Sequence, residues 1–283
     1  MIGNDGSNAE NISVRLRDFE IGRFLGEGGF GKVVAARKHH SKYPVALKVI
    51  SKEKLEVSES ENPDTRTSIM VQIKREIDIQ SMLSHPNILK IFGHFHNETI
   101  ICLILEYCSG VTLRRHCFGK RLPEREVAKY VFDVSSALQY CHHRHVMHRD
   151  IKTENLLLDA NGKVKLIDFG FAVIVGDELQ FTFCGTDEYC APEILTGRGY
   201  GKKADHWATG ILVFDLLAGS PPFTGTLQEI YNEMMKQEIN WPVGIDHRAQ
   251  ELISGLLQVD PKKRLSFDSV GEHPFLSIVD ELP

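Results

Sequence analysis

Gly26, Gly28 and Gly31 stand between two strand-like runs, Phe19–Leu25 and Val33–Ala36, and no other stretch constrains the fold as much. Glycine has no Cβ, so the backbone around these positions can approach phosphate oxygens closely. Taken alone, G-x-G-x-x-G reads as readily as a glycine hairpin turn. Its flanks decide more, because the dinucleotide fingerprint runs from a strand into a helix and here strand lies on both sides. The stretch therefore reads as a flap over a nucleotide, carried by a β-rich region.

The next strand, Val45–Ile50, holds Lys48 in an apolar run. Side chains alternate along a strand, so Ala46 and Lys48 share one face, expected to look toward the glycine flap. A lysine in such a run either reaches solvent at a sheet edge or needs a carboxylate, because an unpaired buried charge is costly. Ile69, Ile73, Glu76, Gln80 and Leu83 recur at helical spacing, which puts Glu76 in an apolar stripe and makes it the expected partner. Glu56–Ser68 is polar and contains Pro63, the pattern of a flexible surface loop. Ile88–Phe92 and Ile100–Leu105 are expected as further strands. The fold class is then α+β and bilobal, with a small β-rich N-lobe over about 18–105 and a hinge at 106–110. A mainly helical C-lobe follows over 111–283, and residues 1–17 are expected as a mobile tail.

In the second half an amphipathic helix over 126–141 leads into His148-Arg149-Asp150-Ile151-Lys152-Thr153-Glu154-Asn155, which feeds a strand at Leu156–Leu158. This stretch holds an acid, with a cation two residues and a carboxamide five residues after it. Such a set can take a proton from a hydroxyl, steady a phosphate and hold a divalent metal. A strand over Lys163–Ile167 ends in Asp168-Phe169-Gly170, where the carboxylate suits metal binding or a simple turn. Thr182 and Thr186 precede Ala191-Pro192-Glu193, and Trp207–Leu217 is almost continuously apolar, the pattern of a buried helix.

Composition narrows the partners. A net charge of −5 and a pI near 6.2 give no support for nucleic-acid binding. No apolar run reaches the roughly 20 residues of a membrane span. The polar start lacks an export signal, and Ile2 does not fit N-myristoylation. The 6 cysteines form neither C-x-x-C pairs nor a regular framework, so free thiols in a reducing cytoplasm or nucleus are expected. His142, His143, His145 and His148 crowd together, but no cysteine pair or carboxylate stands at zinc-ligand spacing.

In order, the glycine flap, strand lysine, helix glutamate, polar loop, Asp-Phe-Gly and Ala-Pro-Glu resemble the protein-kinase set over residues 18–279. More narrowly, Arg75–Ser81, His85–Leu89, Leu103–Tyr107 and Leu138–His142 are similar to the Aurora kinases, as is polar Gln80 in its stripe. The resemblance implies a Ser/Thr protein kinase acting in cell division, using ATP and Mg²⁺. It implies that Lys48, held by Glu76, contacts the ATP phosphates, and that Asn155 and Asp168 bind Mg²⁺. Asp150 would accept the substrate proton and Lys152 would steady the transferring phosphoryl group. Gly26, Gly28 and Gly31 would cover the nucleotide. Leu25, Val33, Ala46 and Leu157 would enclose the adenine, Glu106 and Cys108 would meet it through their backbones, and Leu105 would act as gatekeeper. Glu154 is also implied at the nucleotide and substrate side. Asp205 would anchor the loop around Asp150, and Glu193 and Arg264 would form an ion pair.

Regulation implied by the resemblance centres on Thr182, whose phosphate would pair with Arg149 and order the loop. Thr186 would touch the loop around Asp150 instead. Glu154 and Asp215 would read arginine upstream of the acceptor, so protein substrates with Arg or Lys near the Ser/Thr are expected. An activator docking on the N-lobe and spindle or centrosome association are further implications. The sequence departs from the family at Thr153, commonly proline, at Gln180-Phe181 in place of basic residues, and at Phe171-Ala172 in place of Trp-Ser. The Glu56–Ser68 stretch is also longer.

Overall fold

Five antiparallel strands form one sheet in the order β1-β2-β3-β5-β4. They are β1 Phe19–Gly28, β2 Gly31–Lys38, β3 Pro44–Ser51, β4 Ile91–His96 and β5 Ile100–Glu106. The computed structural model describes residues 14–28, 31–53, 63–176 and 178–279. It clusters into two units, one of residues 1–67 and 91–107, the other of 68–90 and 108–283.

In the first unit β1 and β2 run further into the glycine stretch than its composition suggests, and Gly28 pairs with Gly31. A Cβ on Gly31 would lie 2.4 Å from the Val49 oxygen, so this glycine is required by the neighbouring strand. A Cβ on Gly26 would meet nothing within 4 Å, which leaves open space on that backbone. Phe19, Ala36, Val45, Leu47 and Cys102 form the unit's buried cluster, with Val14 packed against it. Of the expected tail, residues 1–13 lie outside the described residues, and Leu16–Asp18 forms a 3₁₀ turn. The strand expected at Ile88–Phe92 starts only at Ile91 and continues to His96. Ile88 instead bridges Leu166 in the second unit, and the Leu89 N–H donates to the Leu166 carbonyl at 3.0 Å.

Helix α1, Pro63–Ser81, begins inside the stretch expected as loop, whose residues 56–62 lie outside those described. Proline is tolerated at the first helical position, where an N–H has no partner, so Pro63 starts this helix and does not break it. The second unit continues with α2 Leu113–Cys117, α3 Glu124–His143, α4 Pro192–Leu195, α5 Lys203–Ala218, α6 Leu227–Lys236, α7 His247–Leu256 and α8 Phe267–Gly271. Its short strands pair as β6 Val146–Met147 with β9 Val173–Ile174, and β7 Leu156–Leu158 with β8 Val164–Leu166.

Every residue of α5 from Ala204 to Leu217 is buried, as the apolar run predicts. Gly210 lets the helix approach α7, since a Cβ there would lie 2.7 Å from a Leu257 methyl. Arg264 places both terminal nitrogens 2.7 Å from the Glu193 carboxylate, and its guanidinium lies 5.1 Å from the Trp207 ring centroid. The expected ion pair is thus present, bidentate and buried. Gly110 explains itself too: a Cβ would fall 1.5 Å from the Leu158 oxygen. Among the described residues no helix is long and apolar enough to cross a membrane.

Candidate active site

The loop between β6 and β7 is held from below by α5. Asp205 accepts hydrogen bonds from the backbone N–H of His148 at 3.0 Å and of Arg149 at 2.9 Å. Those bonds hold Arg149 at φ +71, a region that side chains with a Cβ rarely enter. His142 on α3 lies 2.7 Å from the same carboxylate. Burial works to raise the Asp205 carboxyl, but the hydrogen bond and charge of His142 hold it below the usual carboxylate range. His148 in turn meets the Ile167 carbonyl at 3.1 Å and packs edge-on against Phe169.

Asp150 is buried with its oxygens fully addressed. Lys152 Nζ stands 2.9 Å from Oδ2, and Asn155 Nδ2 donates to the same oxygen at 2.7 Å. Lys152 also donates to Thr186 Oγ1 at 2.8 Å, and that hydroxyl lies 3.4 Å from Asp150 Oδ1. Thr186 therefore touches the Asp150 loop, as the resemblance implied. A carboxylate fixed between two cationic or amide donors and a hydroxyl is oriented for proton transfer from an incoming alcohol.

Asn155 spends its amide N–H groups on Asp150 Oδ2 and on the Asp150 carbonyl, the latter at 2.8 Å. Its carbonyl oxygen is left as the donor for a cation. The Ile167 N–H donates to the backbone carbonyl of Asn155, not to its side-chain Oδ1, at 2.9 Å, which brings the end of β8, and so Asp168, beside the loop. Asp168 has φ +62, and its Oδ1 accepts from the Gly170 N–H at 3.2 Å. Among the described residues no group of three or more His, Cys, Asp or Glu could hold a metal. One carboxylate and one amide oxygen instead suit Mg²⁺, which keeps waters and completes its shell with substrate phosphates.

Arg149 is spoken for. Its Nε donates to the Phe171 carbonyl at 2.6 Å and its Nη1 to the Tyr200 hydroxyl at 3.1 Å. Tyr200 then donates to the Thr182 carbonyl at 2.6 Å, so a tyrosine links the arginine to the exposed threonine loop. Tyr200 escaped the sequence reading because its partners lie 18 and 51 residues away. Beside the loop, Glu154 is half exposed and lies 3.6 Å from Arg114. Asp215, expected with it to read a substrate arginine, is 5% exposed and accepts from the Tyr189 hydroxyl at 2.5 Å. Its burial follows from its place on α5, the helix buried on every side. Burial raises its carboxyl, with Tyr189 and Arg114 opposing.

In the first unit, Lys48 is buried between Val33 and Leu103 in the sheet register, and Ala46 lies between Ala35 and Leu105. Leu25 is half-buried on β1, and Glu106 closes β5 opposite Val45. In the second unit, Glu76 is buried on α1, and Gln80 donates to the Leu89 carbonyl at 2.8 Å. The Cys108 thiol donates to the Leu158 carbonyl at 3.3 Å, and half-buried Leu157 pairs with Lys165.

These parts define a protein kinase, and the family model described as the protein kinase domain matches residues 19–276. Aurora kinase A-B of Xenopus laevis is 43% identical over 263 residues, 92% of this chain and 62% of that protein. Aurora kinase B of Danio rerio is 40% identical over 273 residues, covering 95% and 82% of the two chains. Aurora kinase C of Mus musculus is 40% identical over 266 residues, 92% of each chain. The chain belongs to the Aurora family of protein kinases. It spans less than two thirds of the two Xenopus laevis relatives, 62% of each.

Proposed function

We propose that this chain transfers the γ-phosphoryl group of ATP to Ser/Thr hydroxyls of protein substrates, as a cell-division kinase. The observation that carries the reading is the fixed set of Asp150, Lys152, Asn155 and Thr186 around one carboxylate. In it Asp150 accepts the proton of the substrate hydroxyl, and Lys152, already poised beside it, steadies the transferring group. Asn155 and Asp168 would hold Mg²⁺, which would supply positive charge to offset that of the phosphates.

Lys48, steadied by Glu76, binds the ATP phosphates beneath Gly26, Gly28 and Gly31. Leu25, Val33, Ala46, Leu105 and Leu157 enclose the adenine, with backbone groups of Glu106 and Cys108 as its partners. Thr182 is the regulatory phosphorylation site, and Arg149 is its receiver. Apolar Phe181 and Phe183 flank that threonine, which supports its modification by another kinase over autophosphorylation. Glu154 supports a preference for substrates with arginine near the acceptor. Docking of an activator on the N-lobe and association with spindle or centrosome belong to the same reading.

Incubation with Mg-ATP and an arginine-bearing serine peptide tests it. Phosphopeptide should form with the wild type and fall to background with Asp168→Asn. A folded wild type that binds ATP yet labels no protein or peptide would make the chain a binding scaffold instead.

A further inference from the structure

We infer that Arg114 is a specificity-determining residue: an internal cation occupying the acidic position where a substrate arginine would bind. The inference rests on the proposed kinase reading, in which a peptide whose hydroxyl meets Asp150 runs past Glu154 in the same loop. Arg114 projects from α2, whose neighbouring Leu113 is fully buried and whose start is capped by Thr112. Its Nε lies 3.6 Å from Glu154 Oε1, and the two side chains are 46% and 49% exposed. Its charge also acts on Asp215.

Thr153, where the family commonly has proline, is 1% exposed and donates its hydroxyl to Glu154 Oε2 at 3.2 Å. Tyr189 donates its own hydroxyl proton to Asp215. Arg114 pairs with Glu154 and acts on Asp215 only through space, and Asp215 is too buried to be met directly. An arriving arginine must therefore compete with Arg114 for Glu154.

That competition can be won. An ion pair this exposed is weak and salt-screened. Arg114 also has a second place to rest, because its guanidinium already lies 5.5 Å from the ring centroid of Phe118, which is 70% exposed. The internal cation lowers the discrimination between arginine-bearing and neutral peptides without closing the site.

Fluorescence anisotropy tests this with peptides carrying alanine at the acceptor position, so that binding is read without turnover. One peptide carries two arginines upstream and the other carries alanines there. For Arg114→Ala the ratio of affinities, arginine over alanine peptide, should rise about two- to five-fold over wild type, the range an exposed pair supports. The gain should fade at high salt and vanish in Arg114→Ala/Glu154→Gln. An unchanged or reduced ratio in Arg114→Ala overturns the inference. Parallel assays with serine peptides and Mg-ATP separate the two readings. No phosphorylation by wild type sinks the kinase proposal, while the anisotropy ratio still decides the role of Arg114.

Discussion

The carboxylate of Asp205 holds Arg149 in a left-handed backbone conformation by accepting its N–H at 2.9 Å. The strain of that conformation is local, and the anchor is a buried charge on the most enclosed helix of the chain. Asp205→Ala should therefore cost about 3–5 kcal/mol, the range for removing one member of a buried charged network. Urea unfolding measures it. A loss under about 1 kcal/mol would mean that the loop keeps its shape without the anchor.

Glu193 and Arg264 form the second buried charge pair, with side-chain exposures of 11% and 0%. Removing either partner leaves the other charge stranded, so Glu193→Ala and Arg264→Ala should each cost about 3–5 kcal/mol. The double variant should cost much less than the sum. Additive losses in the cycle would show that the pair is not coupled.

His206 predicts acid sensitivity. Burial first, then the charges of His142 and Lys203, lower its pKa from 6.5 to about 3. Between those values the unfolded chain binds a proton that the folded chain refuses, so stability falls as pH drops through the window. The slope is at most about 1.4 kcal/mol per pH unit from this one group. His206→Leu should flatten the stability curve between pH 6 and 4 relative to wild type. Asp205, with its lowered carboxyl, loses stability in the same direction but is common to both proteins. Parallel curves for the two would exclude the histidine as the source.

Asp150 and Asp168 are expected to fail differently. Asp150→Asn should lower turnover about 10²–10⁴-fold, the usual worth of a general base, with melting temperature near wild type. Asp168→Asn should additionally shift the Mg²⁺ concentration needed for half-maximal ATP binding upward. Equal magnesium titrations for the two variants would contradict the division of roles.

Much of this was legible along the chain. The α5 helix, the strand lysine and the loop around Asp150 each show as a local pattern of apolar spacing or motif order. Boundaries were less legible: a polar run did not reveal that Pro63 opens a helix, because propensity is weak where a first-turn proline is tolerated. Ile88 looked like strand because its apolar run is continuous with Ile91, yet its hydrogen bonds go to Leu166.

The sequence alone determined the chemical inventory: which acids, amides and cations exist, their order, and therefore the family. Only the tertiary structure decided what each one faces. Packing made buried Asp215 the acceptor of Tyr189, and Tyr200 joined Arg149 to the Thr182 loop. Thr153, 1% exposed, became a hydroxyl donor to Glu154. The physical reason is common to all three. A side chain's partners depend on which distant segments pack beside it, and burial sets whether its charge is solvated, shared or suppressed.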